Sequence, residues 1–107
     1  MSEIELKNLL SVLRASFQQI FGDQFDQMLL FGSRARGDAR ADSDIDVLIV
    51  LHGKFDYLDV IERTSELVST LSLENDIVIS RTFIGKDRFE QEHSPFLLNV
   101  KREGVPV

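Results

Sequence analysis

The 107 residues predict an α/β (α+β) fold, a single small mixed β-sheet flanked by helices, in one domain spanning residues 1–107. Three observations predict it. Two long segments repeat apolar residues at helical spacing. Three short segments run or alternate apolar with the period of a strand, and glycines or capping residues fall between them. The composition agrees: 43% hydrophobic and 28% charged residues is the mix of a soluble domain with one core.

Each element follows from local signals. Ser2 and Glu5 read as a capping box, and Leu6, Leu9, Leu10, Leu13, Phe17, Ile20 and Phe21 then share one face, so a helix is expected from about Glu3 to Phe21. Gly22-Asp23 ends it. Phe25 to Phe31 read as a strand that turns apolar toward its end and is interrupted by Gly32-Ser33; a polar stretch from Arg34 to Ser43 follows. Asp44 to Leu51 is the clearest strand. Ile45, Val47, Ile49 and Leu51 fall on one face, Asp44, Asp46, Leu48 and Val50 on the other. Gly53 breaks it. Asp56 caps a second helix expected to reach about Leu71, with Leu58, Ile61, Leu67, Val68 and Leu71 as its stripe. Glu74 to Ser80 read as a third strand, with Asp76, Val78 and Ser80 to one side. Asp87 to Gln91 suggest a short helix. Ser94-Pro95 read as cap and first-turn proline of a last helix carrying Phe96, Leu97 and Val100 and stopped by Gly104. Strand order is left open by pattern alone.

Charge and composition exclude several function classes. With 18 acidic and 12 basic residues the net charge is -6, which argues against direct nucleic-acid binding, since phosphate neutralisation supplies most of such affinity. The absence of cysteine removes disulfides, thiolate zinc sites and cysteine nucleophiles, and fits a reducing compartment. The first residues show no basic region before an apolar run, and no stretch approaches the roughly 18 apolar residues of a membrane span. A cytoplasmic protein away from membranes is the expectation.

Two features carry chemistry. Asp44 and Asp46 project from one face of a strand about 7 Å apart. Beside the apolar Leu48 and Val50, two such carboxylates repel each other and lose solvation, which raises their pKa unless a cation arrives; Mg²⁺, bound through one or two carboxylates plus substrate phosphates, is the natural solution. Upstream, Gly32 lets a phosphate approach the backbone and Ser33 supplies a hydroxyl and an amide, with Arg34, Arg36 and Arg40 close behind. Together these are the two halves of a nucleoside-triphosphate site. Competing motifs fail. Gly-Ser-Arg-Ala-Arg-Gly is neither a Walker loop nor a dinucleotide fingerprint, and Asp42, Asp44 and Asp46 begin a calcium loop that lacks its turn glycine and closing glutamate. His52 and His93 have no ligand-spaced partner, and Tyr57 reads as a packing residue.

Gly32-Ser33-Arg34-Ala35-Arg36-Gly37, then Ser43-Asp44-Ile45-Asp46 ahead of the apolar Val47 to Val50, resembles the signature of the minimal nucleotidyltransferases of the polymerase-beta-like superfamily. Ten residues separate Ser33 from Asp44. That spacing and the short chain are most similar to the MntA-type antitoxins paired with HEPN-domain toxins, and the element order agrees along nearly the whole chain. The resemblance implies a polymerase-beta palm-like nucleotidyltransferase fold, ATP as substrate and two Mg²⁺ ions. Gly32 and Ser33 would hold the β- and γ-phosphates. Asp44 and Asp46 would bind the metals, with Asp76 as the third carboxylate and Glu74 as its fallback. Arg34 and Arg36 are implied as triphosphate clamps, without a choice between them. Attack on the α-phosphorus then transfers AMP and releases pyrophosphate. The acceptor expected is a tyrosine hydroxyl of a HEPN toxin, because 107 residues leave no acceptor-binding domain. Two other readings stand beside it: an antitoxin that neutralises by contact alone, and transfer to a small molecule held by a separate subunit.

Overall fold

The computed structural model describes all residues, 1–107. Helix α1 spans Glu3–Phe21 and opens on the expected capping box: the Glu5 amide donates to Ser2 Oγ at 3.1 Å, and the Ser2 amide donates to Glu5 Oε1 at 3.2 Å. It buries Leu9, Leu10, Leu13, Phe17 and Phe21. After a 3-10 turn, strand β1 runs Phe25–Phe31, and one turn of helix, α2, covers Ser33–Arg36. Strand β2 follows at Ile45–Leu51, then helix α3 at Tyr57–Asn75, capped by Asp56 Oδ1 on the Leu58 amide at 2.9 Å. Strand β3 spans Ile79–Gly85, helix α4 Lys86–Gln91, helix α5 Pro95–Glu103 and strand β4 Val105–Pro106.

The sheet order is β3-β2-β1-β4, with β2 and β3 parallel and the other pairs antiparallel, so the sheet is mixed as expected. Strand alternation divides the core in two. Ile45, Val47, Ile49 and Leu51 are fully buried in the larger cluster with side chains of α1 and α3. Leu48 and Val50 point the other way, into a smaller cluster with Leu97 and Val100 of α5. Full burial of each such side chain contributes roughly 1.5–3 kcal/mol, and both faces fix the register. A slip of one residue would drive Asp46 into the larger core. No helix is long and apolar enough to cross a membrane.

Two expectations are corrected. Glu74 to Ser80 are not one strand: α3 runs on through Asn75 and β3 begins at Ile79. The Asn75 side chain donates to the Leu71 carbonyl at 2.8 Å, and the Ile77 amide reaches back to Ser72 O at 3.1 Å. These bonds close the helix around Asp76, whose φ of 49° makes it the one non-glycine residue in the left-handed region. The sheet also has a fourth strand that was not expected. Once Gly104 has stopped α5, Val105 and Pro106 pair with Leu30 and Leu29, a contact too short to carry an alternation signal.

Candidate active site

Cross-strand pairing builds the site. Phe31, the last residue of β1, stands opposite Asp46 on β2. Gly32 comes next, at φ 75° and ψ −160°, and a Cβ placed there would run into the Asp46 carboxylate. Glycine is therefore required twice, by its backbone angles and by the acid it faces. Ser33 then starts α2, and Gly37 ends it in the left-handed conformation, its amide donating to Ser33 O at 3.0 Å. The chain returns to β2 through a turn closed by Ser43: its hydroxyl accepts from the Arg40 amide at 2.8 Å, and its amide donates to Arg40 O at 3.1 Å. The Ile45 amide, bonded to Val78 O at 2.9 Å, anchors the strand immediately after Asp44.

Asp44 is exposed and Asp46 half-buried. Burial pushes the Asp46 carboxyl above its ordinary value, the Asp44 charge adds to the rise, and the Arg36 guanidinium opposes it. Neither carboxylate is taken up by a salt bridge. A pair of adjacent acids, one partly desolvated and neither in an ion pair, fits a hard divalent cation. It fits as a pair only, since no cluster of three metal-ligating side chains is present. Asp76 stands at the same end of the sheet, three residues ahead of the Ile79 that pairs with Ile45, but is exposed on its turn.

The two arginines of α2 diverge. Arg36 donates through Nη1 to Glu103 of α5 and through Nε to Asp38, both at 3.3 Å. It borders a cavity of about 300 Å³ that opens at Gly32 between Phe31, Phe96, Asn99 and Glu103, where Phe96 meets Phe31 edge-on at 5.5 Å. Arg34 instead donates through Nε to Ser43 O at 3.0 Å, and its Nη2 is buried without a partner. The largest cavity, about 590 Å³, is elsewhere. It lies past the far end of β2 among His52, Lys54, Tyr57 and Lys86 and holds none of the expected site residues. There His52 bonds Asp26 at 3.0 Å, and the Tyr57 ring packs edge-on against Phe83, both away from the acids.

The profile of the family described as Polymerase beta, Nucleotidyltransferase matches residues 16–94, a stretch that contains Gly32, Ser33, Asp44, Asp46 and Asp76. The chain belongs to this nucleotidyltransferase family. A provisionally named protein adenylyltransferase of Methanocaldococcus jannaschii is 34% identical to this nucleotidyltransferase over 104 residues, which are 97% of this chain and 100% of the relative. A solved toxin-antitoxin structure with AMP-PNP superposes with a TM-score of 0.62 at 17% identity, over 92% of this chain and 71% of that one. A toxin-antitoxin complex named MntA-HpeT matches with a TM-score of 0.58 at 14% identity, over 99% and 71% of the two chains. At such identities the solved structures establish the fold.

In this nucleotidyltransferase the fold gathers Gly32, Asp44, Asp46 and Arg36 at one end of the sheet, with Ser33 next to Gly32. It leaves Asp76 outside the pair and turns Arg34 toward the Ser43 loop. Sequence reasoning missed Glu103, Asp38, Phe96 and Asn99. Glu103 lies 67 residues from Arg36, so no local pattern could have linked them.

Proposed function

We propose that this nucleotidyltransferase is an antitoxin enzyme that transfers AMP from ATP to a hydroxyl, a tyrosine in our reading, of a partner HEPN-domain toxin. One observation carries the placement of the chemistry: Gly32, the phosphate-binding turn, lies directly against the carboxylate of Asp46. A triphosphate held at that turn has its phosphate oxygens beside the acidic pair. Gly32 offers close backbone approach to the β- and γ-phosphates, and Ser33 offers its hydroxyl and amide. Arg36, at the mouth of the cavity beside Gly32, is the cation placed to exchange Glu103 for a phosphate oxygen. Mg²⁺, which Asp44 and Asp46 would hold in this reading as a pair of ions, supplies charge stabilisation on the phosphates and a lowered pKa for the attacking hydroxyl. We assign Asp76 as the third acid, acting from its turn outside the pair. The acceptor hydroxyl releases its proton to solvent as its oxygen bonds to the α-phosphorus, the bond from that phosphorus to the oxygen bridging to the β-phosphate breaks, and pyrophosphate leaves.

The relative named for protein adenylyl transfer and the toxin-antitoxin neighbours support a protein acceptor and a toxin partner. The test is mass spectrometry of the co-expressed toxin. The expected result is a mass gain of one AMP residue per transfer with the wild-type chain and none with Asp44→Asn, Asp46→Asn. A toxin that is neutralised without any mass change would replace this reading with inhibition by contact.

A further inference from the structure

Arg34 and Arg36 look interchangeable in sequence, and the fold separates them. Residues two apart on a helix, at 100° per residue, point in nearly opposite directions and cannot address one ligand. On α2 that rule puts Arg36 toward the cavity beside Gly32 and Arg34 toward the loop that returns to Asp44. We propose that Arg34 is a positioning residue, a strap that ties the phosphate-binding turn to the metal-binding strand, and that it does not clamp the triphosphate. The inference rests on the reading of the site given above.

Three observations support it. Arg34 Nε donates to the carbonyl of Ser43, whose peptide bond leads directly into Asp44, so the guanidinium holds the backbone one residue before the first acid. Its Nη2 is buried rather than open to solvent. Its side chain also borders a small cavity of about 160 Å³ formed by the first turn of α1, at Ser2, Glu3 and Leu6, with Gly37 and Ala39 of the loop. The loop has little else to fix it. Its other bonds are the reciprocal pair between Arg40 and Ser43, the Asp38 amide on Ser33 O at 3.2 Å and, at its start, Arg36 Nε on Asp38 Oδ2 at 3.3 Å, so beyond Asp38 the remaining bonds are local. Arg34 is the side chain that spans it from residue 34 to residue 43.

Arg34→Lys discriminates between the roles. Lysine keeps the charge and still serves a phosphate as a point charge, but it loses the planar fork and the Nε bond to Ser43 O. If Arg34 positions Asp44, kcat falls about 10- to 100-fold, as for a misplacement near 1 Å, while KM for ATP stays within about 3-fold. Amide hydrogen exchange across residues 38–44 also speeds up. Arg36→Gln is the matched control: KM rises and exchange at 40–44 is unchanged, since Arg36 bonds only Asp38 and Glu103. A raised KM with kcat retained in Arg34→Lys overturns the proposal, as does unchanged exchange across 38–44. If the wild-type chain transfers no AMP to any partner, the functional reading fails, and the exchange measurement alone still decides whether Arg34 holds the loop. Should Arg34→Lys not fold, nitrogen-proton NMR of the wild type decides, because a strapped Arg34 gives a slowly exchanging Nε–H and a solvated clamp gives a fast one.

Discussion

One methyl group at Gly32 separates what the turn does for stability from what it does for chemistry. Gly32 sits at φ 75° and ψ −160°, a region open essentially to glycine, where another residue costs on the order of 1–3 kcal/mol. In a domain near 100 residues, about 2 kcal/mol lowers Tm by roughly 8–16 °C. The added Cβ would also occupy the place of the Asp46 carboxylate. Because the obstacle is the end of a side chain, Asp46 swings aside with little further loss of stability. The acid then no longer faces the turn proposed to hold the phosphates, and a displacement near 1 Å costs transfer about 10²-fold. Gly53 is the control: its φ is also 75°, and nothing lies within 4 Å of where its Cβ would go. Gly53→Ala should lose stability and keep transfer; Gly32→Ala should lose both. Melting followed by circular dichroism and AMP incorporation into the partner read the two effects. In an Asp46→Asn background, where transfer is already lost, Gly32→Ala should still lower Tm. A Gly32→Ala protein that transfers at the wild-type rate refutes the reasoning.

Two further predictions concern the acids. The folded-state pKa of Asp46 is raised by burial, so the native chain keeps this proton to higher pH than the unfolded chain does, and the stability it contributes is lost as pH rises from 3.8 through the raised value. Asp46→Asn should flatten that limb of a Tm profile and be at least as stable as wild type at neutral pH; an unchanged slope with lower stability rejects the assignment. Asparagine accepts the left-handed turn at residue 76, so Asp76→Asn should leave Tm almost unchanged and lower transfer about 10- to 100-fold, the range seen for outer partners of a metal site. Wild-type transfer would remove Asp76 from the acidic set.

Much of this was legible in the sequence wherever a local signal carried the structure. The capping box, the Asp56 and Ser94 caps and the alternation of β2 needed no tertiary information, and those elements start about where they were expected. Asp76 shows where such signals compete. Its neighbours Ile77, Val78 and Ile79 have strand propensity, while Ser72 to Asn75 extend a helix already nucleated, and propagation adds a bond for each residue ordered. The helix runs on until the Schellman-type closure at Asp76, and the strand starts three residues late. The fourth strand was illegible because β4 is defined by its partner β1 rather than by any pattern of its own.

The two arginines of α2 mark a different limit. Three arginines between residues 34 and 40 in a chain of net charge -6 announce a local cationic loop and nothing about which one meets a phosphate. Once Ser33–Arg36 is known to be helical, the spacing that seemed redundant becomes informative, because positions 34 and 36 must diverge. Glu103 then holds one guanidinium at the mouth of the cavity and the Ser43 carbonyl takes the other. The same charge thus serves two ends. At Arg36 it moderates the raised pKa of Asp46 and pairs with the Glu103 carboxylate, which a phosphate replaces in the proposed function. At Arg34 it binds a neutral carbonyl, where the geometry of the fork matters more than the charge. Substitutions that preserve charge and alter shape should therefore be tolerated at Arg36 and damaging at Arg34.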